Sequence, residues 1–560
     1  MSTSNPTGRF SRATQRKKDG VTYTPPVLAR LLARLLFAED GGGEALSVWD
    51  PACGDGALLE AAQQVRRAQD HHDDHWLGTD ADPTAVARTR RRLGLSSGRL
   101  TVREGDFLAS FEGAEPVDRI IANPPWVRTQ VLGTARARAL AKRFGLKGRV
   151  DLAQAFVLAM VDVLKPGGRA AVLVPNKLLQ TRGAATFRRV LRDRACLVEV
   201  VDLGDTRLFD AAVLPAMLVL ERRPDDDRPT PFWSVYTTRD EADAQPVDGF
   251  EAIWHQPGRH RLADGRVFEV LTGALECFGA HDSWQRGGPA VRAWLQHIDA
   301  HTALRVGDLG PVRVGVKSTA DPVFVTPDWT RMPADAQPEL LRPLTTHHRA
   351  RAFLPLPREP RRQILYPHEN VDGKRRPVDL ATAPRSRAWL EQHRARLEKR
   401  TYVLDAGRAW YAIWVPHDPD GWAADKLVFR DIAPRSTCWL DREGTVVNGD
   451  CYWLVPKPEV DPELLFLALA VANSSLVDAW YDRVCNNRLY AGRRRYLSQF
   501  VSDYPLPDPT LPSSRALMDG ARALVDRLQA GGLDGCADAI AELDRQVWTA
   551  FGLDAAAPLP

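Results

Sequence analysis

Residues 46–67 read LSVWDPACGDGALLEAAQQVRR. The β-rich run LSVWD ends in Asp50, the turn after it carries Gly54 and Gly56, and ALLEAAQQVRR is a helix. Strand, glycine turn and helix in this order make a corner at which a ligand can approach the backbone closely. The next strand, WLGTD (76–80), ends in Asp80, where a carboxylate is placed to bond both hydroxyls of a ribose. A nicotinamide dinucleotide uses a similar geometry, but Leu59 stands where its fingerprint needs a third glycine. Asp50, one residue before Pro51, suits a cationic ligand bearing an amino acid better than it suits a pyrophosphate. Ala52, Gly54 and Gly56 line the turn, and Cys53 reads as a small packing residue. The alternative is a tight strand-to-helix turn that holds nothing.

Outward from this unit the same rhythm repeats. LTVREGD (100–106), VDRIIAN (117–123), RAAVLVP (169–175), LVEVVDL (197–203) and PAMLVLE (215–221) are further strands, with helical stretches between most of them. DLAQAFVLAMVDVLK (151–165), closed by Pro166-Gly167-Gly168, is one such helix. Alternating strands and helices predict an α/β, doubly wound, mostly parallel sheet. No helical segment joins the last two strands, so one of them is expected as an antiparallel edge. Upstream, Thr24-Pro25-Pro26 opens a helix with Thr24 as N-cap and Pro25 in its first turn, and Gly41-Gly42-Gly43 closes it.

Two further strand ends carry chemistry. Asp106-Phe107 offers a carboxylate that can accept from an exocyclic amine and a ring that can pack beside an adenine. The alternative is an ordinary strand end with a buried phenylalanine. Asn123-Pro124-Pro125-Trp126 is the strongest signal in the chain. An exocyclic amine of a nucleobase is a poor nucleophile, because its lone pair is delocalised into the ring. The Asn123 side-chain oxygen and the Pro124 carbonyl, on a turn stiffened by two prolines, can accept from its N–H groups and aim the lone pair at a methyl donor. Trp126 gives an extruded base a face to stack on, worth roughly 1–3 kcal/mol.

DPACGDGALL together with NPPW resembles the amino-methyltransferase superfamily, and within it the TaqI-like N6-adenine DNA methyltransferases of restriction–modification systems. The resemblance implies a Rossmann-like methyltransferase sheet and S-adenosylmethionine as cofactor. It places Tyr23, Thr24 and Pro25, in VTYTPPVLARLLA (21–33), at the methionine end of that cofactor. It also gives Phe209, in LFDAAVLPAMLVLE (208–221), as an aromatic that clamps the flipped adenine, with a core phenylalanine as the alternative. Asn123 in place of serine favours adenine over cytosine-N4, and no Pro-Cys dipeptide provides a C5-cytosine nucleophile.

The expected domains are a flexible basic arm (1–20), a methyltransferase domain (21–225), the charged linker RRPDDDRPTP (222–231), a mixed α/β target-recognition domain (232–510) and a helical tail (511–560). VRVGVKSTADPVFV (312–325), WLEQHRARLEKR (389–400) and LALAVANSSLVDAWY (467–481) resemble segments of such recognition regions. Arginine suits guanine readout and phosphate contact alike, and it is locally dense here. The clusters are Arg342, Arg349, Arg351, Arg358, Arg361 and Arg362, then Lys374, Arg375 and Arg376, then Arg493, Arg494 and Arg495.

The 560 residues carry a net charge of +4, which permits nucleic-acid binding without establishing it. Seven scattered cysteines without a CxxC pair argue against a disulfide scaffold and a zinc site. No apolar run is long enough to span a membrane and the N-terminus has no signal-peptide core, so the expected compartment is the cytoplasm. With an arm of only 20 residues no N-terminal nuclease is expected, and a fused restriction–modification enzyme is disfavoured. The resemblance therefore implies a chain that acts alone, as a monomer on double-stranded DNA, beside a separately encoded cognate restriction endonuclease. Rival readings are RNA adenine-N6 methylation, protein glutamine methylation and a catalytically idle DNA-binding subunit.

Overall fold

The computed structural model describes residues 24–559 except 39–43, 95–98, 128–132, 148–149, 205, 207, 209–213, 225–227, 279–282, 326–328, 358–361, 486–488, 490–491 and 533. The chain divides into two compact units, residues 1–292 with 483–492 and residues 293–482 with 493–560.

The first unit is built on one large sheet. Its strands in chain order are β1 (Ser47–Asp50), β2 (His75–Asp80), β3 (Leu100–Glu104), β4 (Val117–Ala122), β5 (Leu164–Pro175), β6 (Cys196–Asp202), β7 (Pro215–Glu221), β8 (Pro231–Thr238), β9 (Gln245–Val247), β10 (Gly258–Leu262), β11 (Val267–Phe278) and β12 (Ser283–Gly287). The spatial order is β3-β2-β1-β4-β5-β7-β6-β8-β11-β10-β9, with β12 paired to β11. From β1 the chain winds outward through β2 and β3, then returns to β4 and β5 on the other side, pairing in parallel throughout. The order therefore reverses between β1 and β4, where doubly wound sheets open a crevice at the carboxyl ends of their strands.

Alternation along the strands feeds two apolar layers, as period-2 side chains must. Ile120, Ala122, Ala170, Val172 and Leu218 enter the layer under the helix Leu152–Val163. Ile121, Ala171, Leu173, Met217 and Val219 enter the one under the helices Pro26–Leu36 and Ala57–Ala68. Asp151 caps the helix Leu152–Val163 in a capping box with Gln154.

Three expectations are corrected here. β7 is antiparallel to both β5 and β6, as the missing crossover helix requires, but neither of the last two strands is an edge: β7 lies between β5 and β6, and β8 continues the sheet beyond β6. Residues 222–231 consequently do not end the first unit. β8 pairs in parallel with β6 and antiparallel with β11, so the sheet runs on through β12 and the division falls after Arg292. The first helix begins at Pro26 with Pro25 as its N-cap, and the Thr24 hydroxyl makes no cap bond. The arm, Tyr23, Gly41–Gly43 and Phe209 lie outside the described residues.

The second unit holds a four-stranded antiparallel sheet in the order Arg313–Val314, Cys451–Leu454, Lys426–Arg430 and Cys438–Asp441. Trp329, Trp422, Trp439 and Trp453 fill its core. The tail is not separate: the helices Pro512–Gln529 and Cys536–Ala550 pack on one another and on the buried helix Leu464–Ala472. No single described helix is long and apolar enough to cross a membrane. The pair Leu464–Ala472 and Ser475–Val484 reaches the length only across a 71° bend.

Candidate active site

The glycine turn is shaped as its residues demand. Gly54 and Gly56 sit at φ +56° and +84°, in the left-handed region that favours glycine, and Gly56 caps the helix Ala57–Ala68. A Cβ at Gly56 would lie 3.2 Å from the Thr89 Cα. Thr89 is fully buried and donates from its hydroxyl to the Gly54 carbonyl at 3.1 Å. It was not expected, although its signal is in the sequence: Ala85, Val86 and Thr89 form the buried stripe of the arginine-rich helix Pro83–Leu93 at i, i+1 and i+4. Cys53 is buried behind the turn, its N–H bonded to the Thr79 carbonyl at 2.9 Å. Burial pushes its thiol up to about 12, which fits packing and not reactivity.

Asp50 is wholly buried. One carboxylate oxygen accepts from the Ala52 N–H at 3.1 Å, and the other, among the described residues, has no hydrogen-bond partner. Desolvation, and then the nearby Asp80 and Asp55, hold its pKa well above the ordinary carboxylate value. A buried carboxylate with an unmatched oxygen calls for a cation. The ammonium and sulfonium groups of S-adenosylmethionine have that charge, so the residues present fit this group.

Asp80, at the end of β2, ties the turn from the other side. One of its oxygens accepts from the Gly54 N–H at 2.8 Å and the other from the Asp82 N–H at 2.9 Å. Each oxygen keeps a further lone pair for a hydroxyl donor. Asp106 caps the short helix Phe107–Ser110 through the Leu108 N–H at 3.0 Å and pairs with Arg136 at 3.1 Å. Phe107 departs from the expectation. Its ring is 1% exposed, edge-on to Trp49 at 5.2 Å and packed on Phe156, so no free face is left beside an adenine.

Across the crevice, Asn123-Pro124-Pro125-Trp126 follows β4. The Asn123 amide nitrogen donates to the Thr24 hydroxyl at 3.1 Å, which turns the carbonyl end of the amide the other way. The segment before the first helix thus joins the Asn123 turn by orienting its asparagine and not by capping. Pro124 is buried, and the half-buried Trp126 packs against both apolar layers. The turn is followed by Val127, whose carbonyl accepts from the Leu152 N–H at 3.2 Å.

One more strand end adds a polar group that was not foreseen. Asp202, fully buried at the end of β6, accepts from the Gly204 N–H and the Tyr236 hydroxyl at 3.0 Å each, and from Asn176, next after β5, at 3.4 Å. Burial pushes its carboxyl up to about 6.

A doubly wound sheet with a glycine turn after its first strand and Asn-Pro-Pro-Trp after its fourth defines an S-adenosylmethionine-dependent amino-methyltransferase. Over residues 9–243 the chain matches the family described as N-6 DNA Methylase. The type II methyltransferase M.BanIII of Aneurinibacillus aneurinilyticus is 36% identical over 544 residues, covering 91% of this chain and 93% of that protein. M.PaeR7I of Pseudomonas aeruginosa, also a type II methyltransferase, is 25% identical over 526 residues, covering 87% and 84%. Among solved structures, the type IIL restriction–modification enzyme MmeI in complex with DNA aligns over 98% of this chain and 78% of that one, at a TM-score of 0.63 and 14% identity, a likeness of fold. The chain belongs to the N-6 DNA methylase family and is an adenine-specific DNA methyltransferase of the type II restriction–modification kind.

Proposed function

We propose that Asn123 and the Pro124 carbonyl activate the N6 amine of an adenine turned out of duplex DNA, at a site chosen by the second unit. The observation that carries this is the pairing of two strand ends across one switch point. An orphaned buried carboxylate lies on the β1 side, and an asparagine oriented through Thr24 lies on the β4 side. Asp50, Ala52, Gly54, Gly56, Asp80 and Asp106 would hold S-adenosylmethionine, with Tyr23, Thr24 and Pro25 toward its methionine end. When bound, the cofactor supplies an electrophilic methyl group on sulfonium sulfur.

The chain's own work is positioning. Two acceptors on the amine favour a pyramidal nitrogen with its lone pair aimed outward. Trp126 offers the stacking face that offsets part of the few kcal/mol lost when the base leaves the helix, and Phe209 closes on the same base. The enzyme works as a monomer in the cytoplasm, as the modification partner of a separately encoded endonuclease. The resemblance of residues 312–325, 389–400 and 467–481 to recognition segments and the 36% identity to a type II methyltransferase over 91% of the chain support that setting.

The test is Asn123→Ala. Its carbonyl acts in the transition state, so turnover on duplex DNA is expected to fall by at least 100-fold, about 2.7 kcal/mol, while the cofactor Kd stays within a few-fold. Near-normal turnover would remove Asn123 from this role.

A further inference from the structure

The arginine clusters of the second unit separate into two kinds. Arg349 makes a bidentate pair with Glu443 at 2.9 and 3.0 Å and is 8% exposed. Arg494 grips Asp482 in the same way, Arg342 donates to the Pro419 carbonyl and Arg351 to the Leu354 carbonyl. These guanidinium groups hold the unit together. Lys374, Arg375 and Arg376 are different. All three are exposed, and among the described residues none makes an ion pair or a side-chain hydrogen bond.

They lie on a hairpin of two strands, His368–Val371 and Lys374–Pro377, that pair only with each other. Asp372 and Gly373, at φ +51° and +68°, form its two-residue turn, the tight kind that follows strand twist. The root is fixed. The Asn370 amide donates to Asp420 at 3.0 Å, and the buried His368 ring accepts from the Ile413 N–H at 3.0 Å. Burial, then the charges of Arg375 and Arg408, hold His368 down at about 3, so that it stays a neutral acceptor.

Directly opposed residues share a face of such a ribbon. Asn370 and Arg375 are one opposed pair, and the Asn370 side chain reaches Asp420 on the anchoring side. The pairs Glu369–Arg376 and Val371–Lys374 therefore occupy the other face, turned away from the anchored one. A major groove about 12 Å wide admits a two-stranded ribbon, and strands of four residues span roughly 13 Å along their length. The chemistry on its outer face suits that groove: a planar fork for guanine O6 and N7, a carboxylate for cytosine N4 and a mobile ammonium for phosphate.

We propose that the hairpin His368–Pro377 is a recognition ribbon that enters the major groove of the target duplex, where Arg376 and Glu369 read one G·C pair and Lys374 contacts the backbone. The proposal rests on the reading that the chain methylates duplex DNA.

The experiment uses the full chain and first maps the sites marked by the unaltered enzyme. Arg376→Ala is then expected to lower kcat/KM on the cognate duplex by about 10- to 150-fold and to admit sites changed at one G·C position. Arg376→Lys keeps the charge but loses the fork, so it is expected to lose the same discrimination with the salt dependence of binding unchanged. Lys374→Ala is expected to weaken all duplexes alike and to reduce the log K against log salt slope by about 0.9. Cofactor Kd should stay unchanged in all three variants. Unaltered selectivity in both Arg376 variants, or a uniform loss with no relaxed position, overturns the proposal while leaving the methylase reading intact. No methylation of any duplex by the unaltered enzyme overturns that reading and the ribbon with it.

Discussion

A carboxyl group with one oxygen unmatched in a dry site is costly in its ionised form, and Asp50 is in that position. A cationic ligand pairs with the ionised form alone, and the folded pKa lies above the usual range. Cofactor affinity is therefore expected to weaken as pH falls through that raised pKa, and binding below it to release a proton. Calorimetry in buffers of different ionisation enthalpy reads both, and Asp50→Asn should flatten the dependence while weakening binding at high pH. A proton-neutral titration with pH-independent affinity would count against the pairing. Asp202 gives a second linkage. Its pKa rises from the ordinary 3.8 to about 6, so its contribution to stability is complete below pH 3.8 and lost as pH climbs through 6. That rise corresponds to about 3 kcal/mol. Denaturation of wild type and Asp202→Asn across pH 4–7.5 should show the variant gaining relative stability as pH rises. For Asp80, whose oxygens brace the turn through Gly54 and Asp82, Asp80→Ala should weaken cofactor binding by about 1.5–3 kcal/mol in a protein that still folds.

At the scale of elements, the βα corner is held by conformation and by fit. Gly56→Ala meets both a left-handed backbone and the Thr89 main chain, so a loss of about 1–2 kcal/mol is expected in thermal unfolding, together with weaker cofactor binding. The seven strands from 47 to 221 were legible because their apolar runs are bounded by Asp50, Asp80, Pro175 and similar stops, and because helical stretches separate most of them. What a strand pairs with was not legible to the same degree. β6 needed β8 to become interior, and that contact lies across a charged, proline-rich stretch that reads locally as a linker. Side-chain direction was harder still. Thr24 and Phe107 carry the right chemistry for their expected roles, yet tertiary contacts with Asn123 and with Trp49 decided where each one points. Thr89 was missed because a threonine among arginines looks solvated until its helical stripe is drawn.

For the whole molecule, the division after Arg292 changes how the two halves should be exchanged. A chimera joined at 231/232 cuts β8 and β11 out of the catalytic sheet and is expected to fold poorly. One that exchanges residues 293–482 and 493–560 keeps that sheet whole and should carry the donor's target sequence with it. An active chimera of the second kind that still marks the original site would contradict the division of labour. The second unit was the least legible part, since its short strands and tryptophan core follow no repeating rhythm. Its arginines could be sorted into structural and exposed groups only once Glu443 and Asp482 were seen beside them. Together the two units are expected to methylate the adenine amine at one duplex sequence. Treating duplex DNA with the purified enzyme and S-adenosylmethionine, then combining nucleoside mass spectrometry with methylation-sensitive sequencing, tests this most directly. N6-methyladenine is expected at a single short sequence and nowhere with Asn123→Ala. Methylcytosine, or methyl groups placed on structured RNA in preference to duplex DNA, would contradict this.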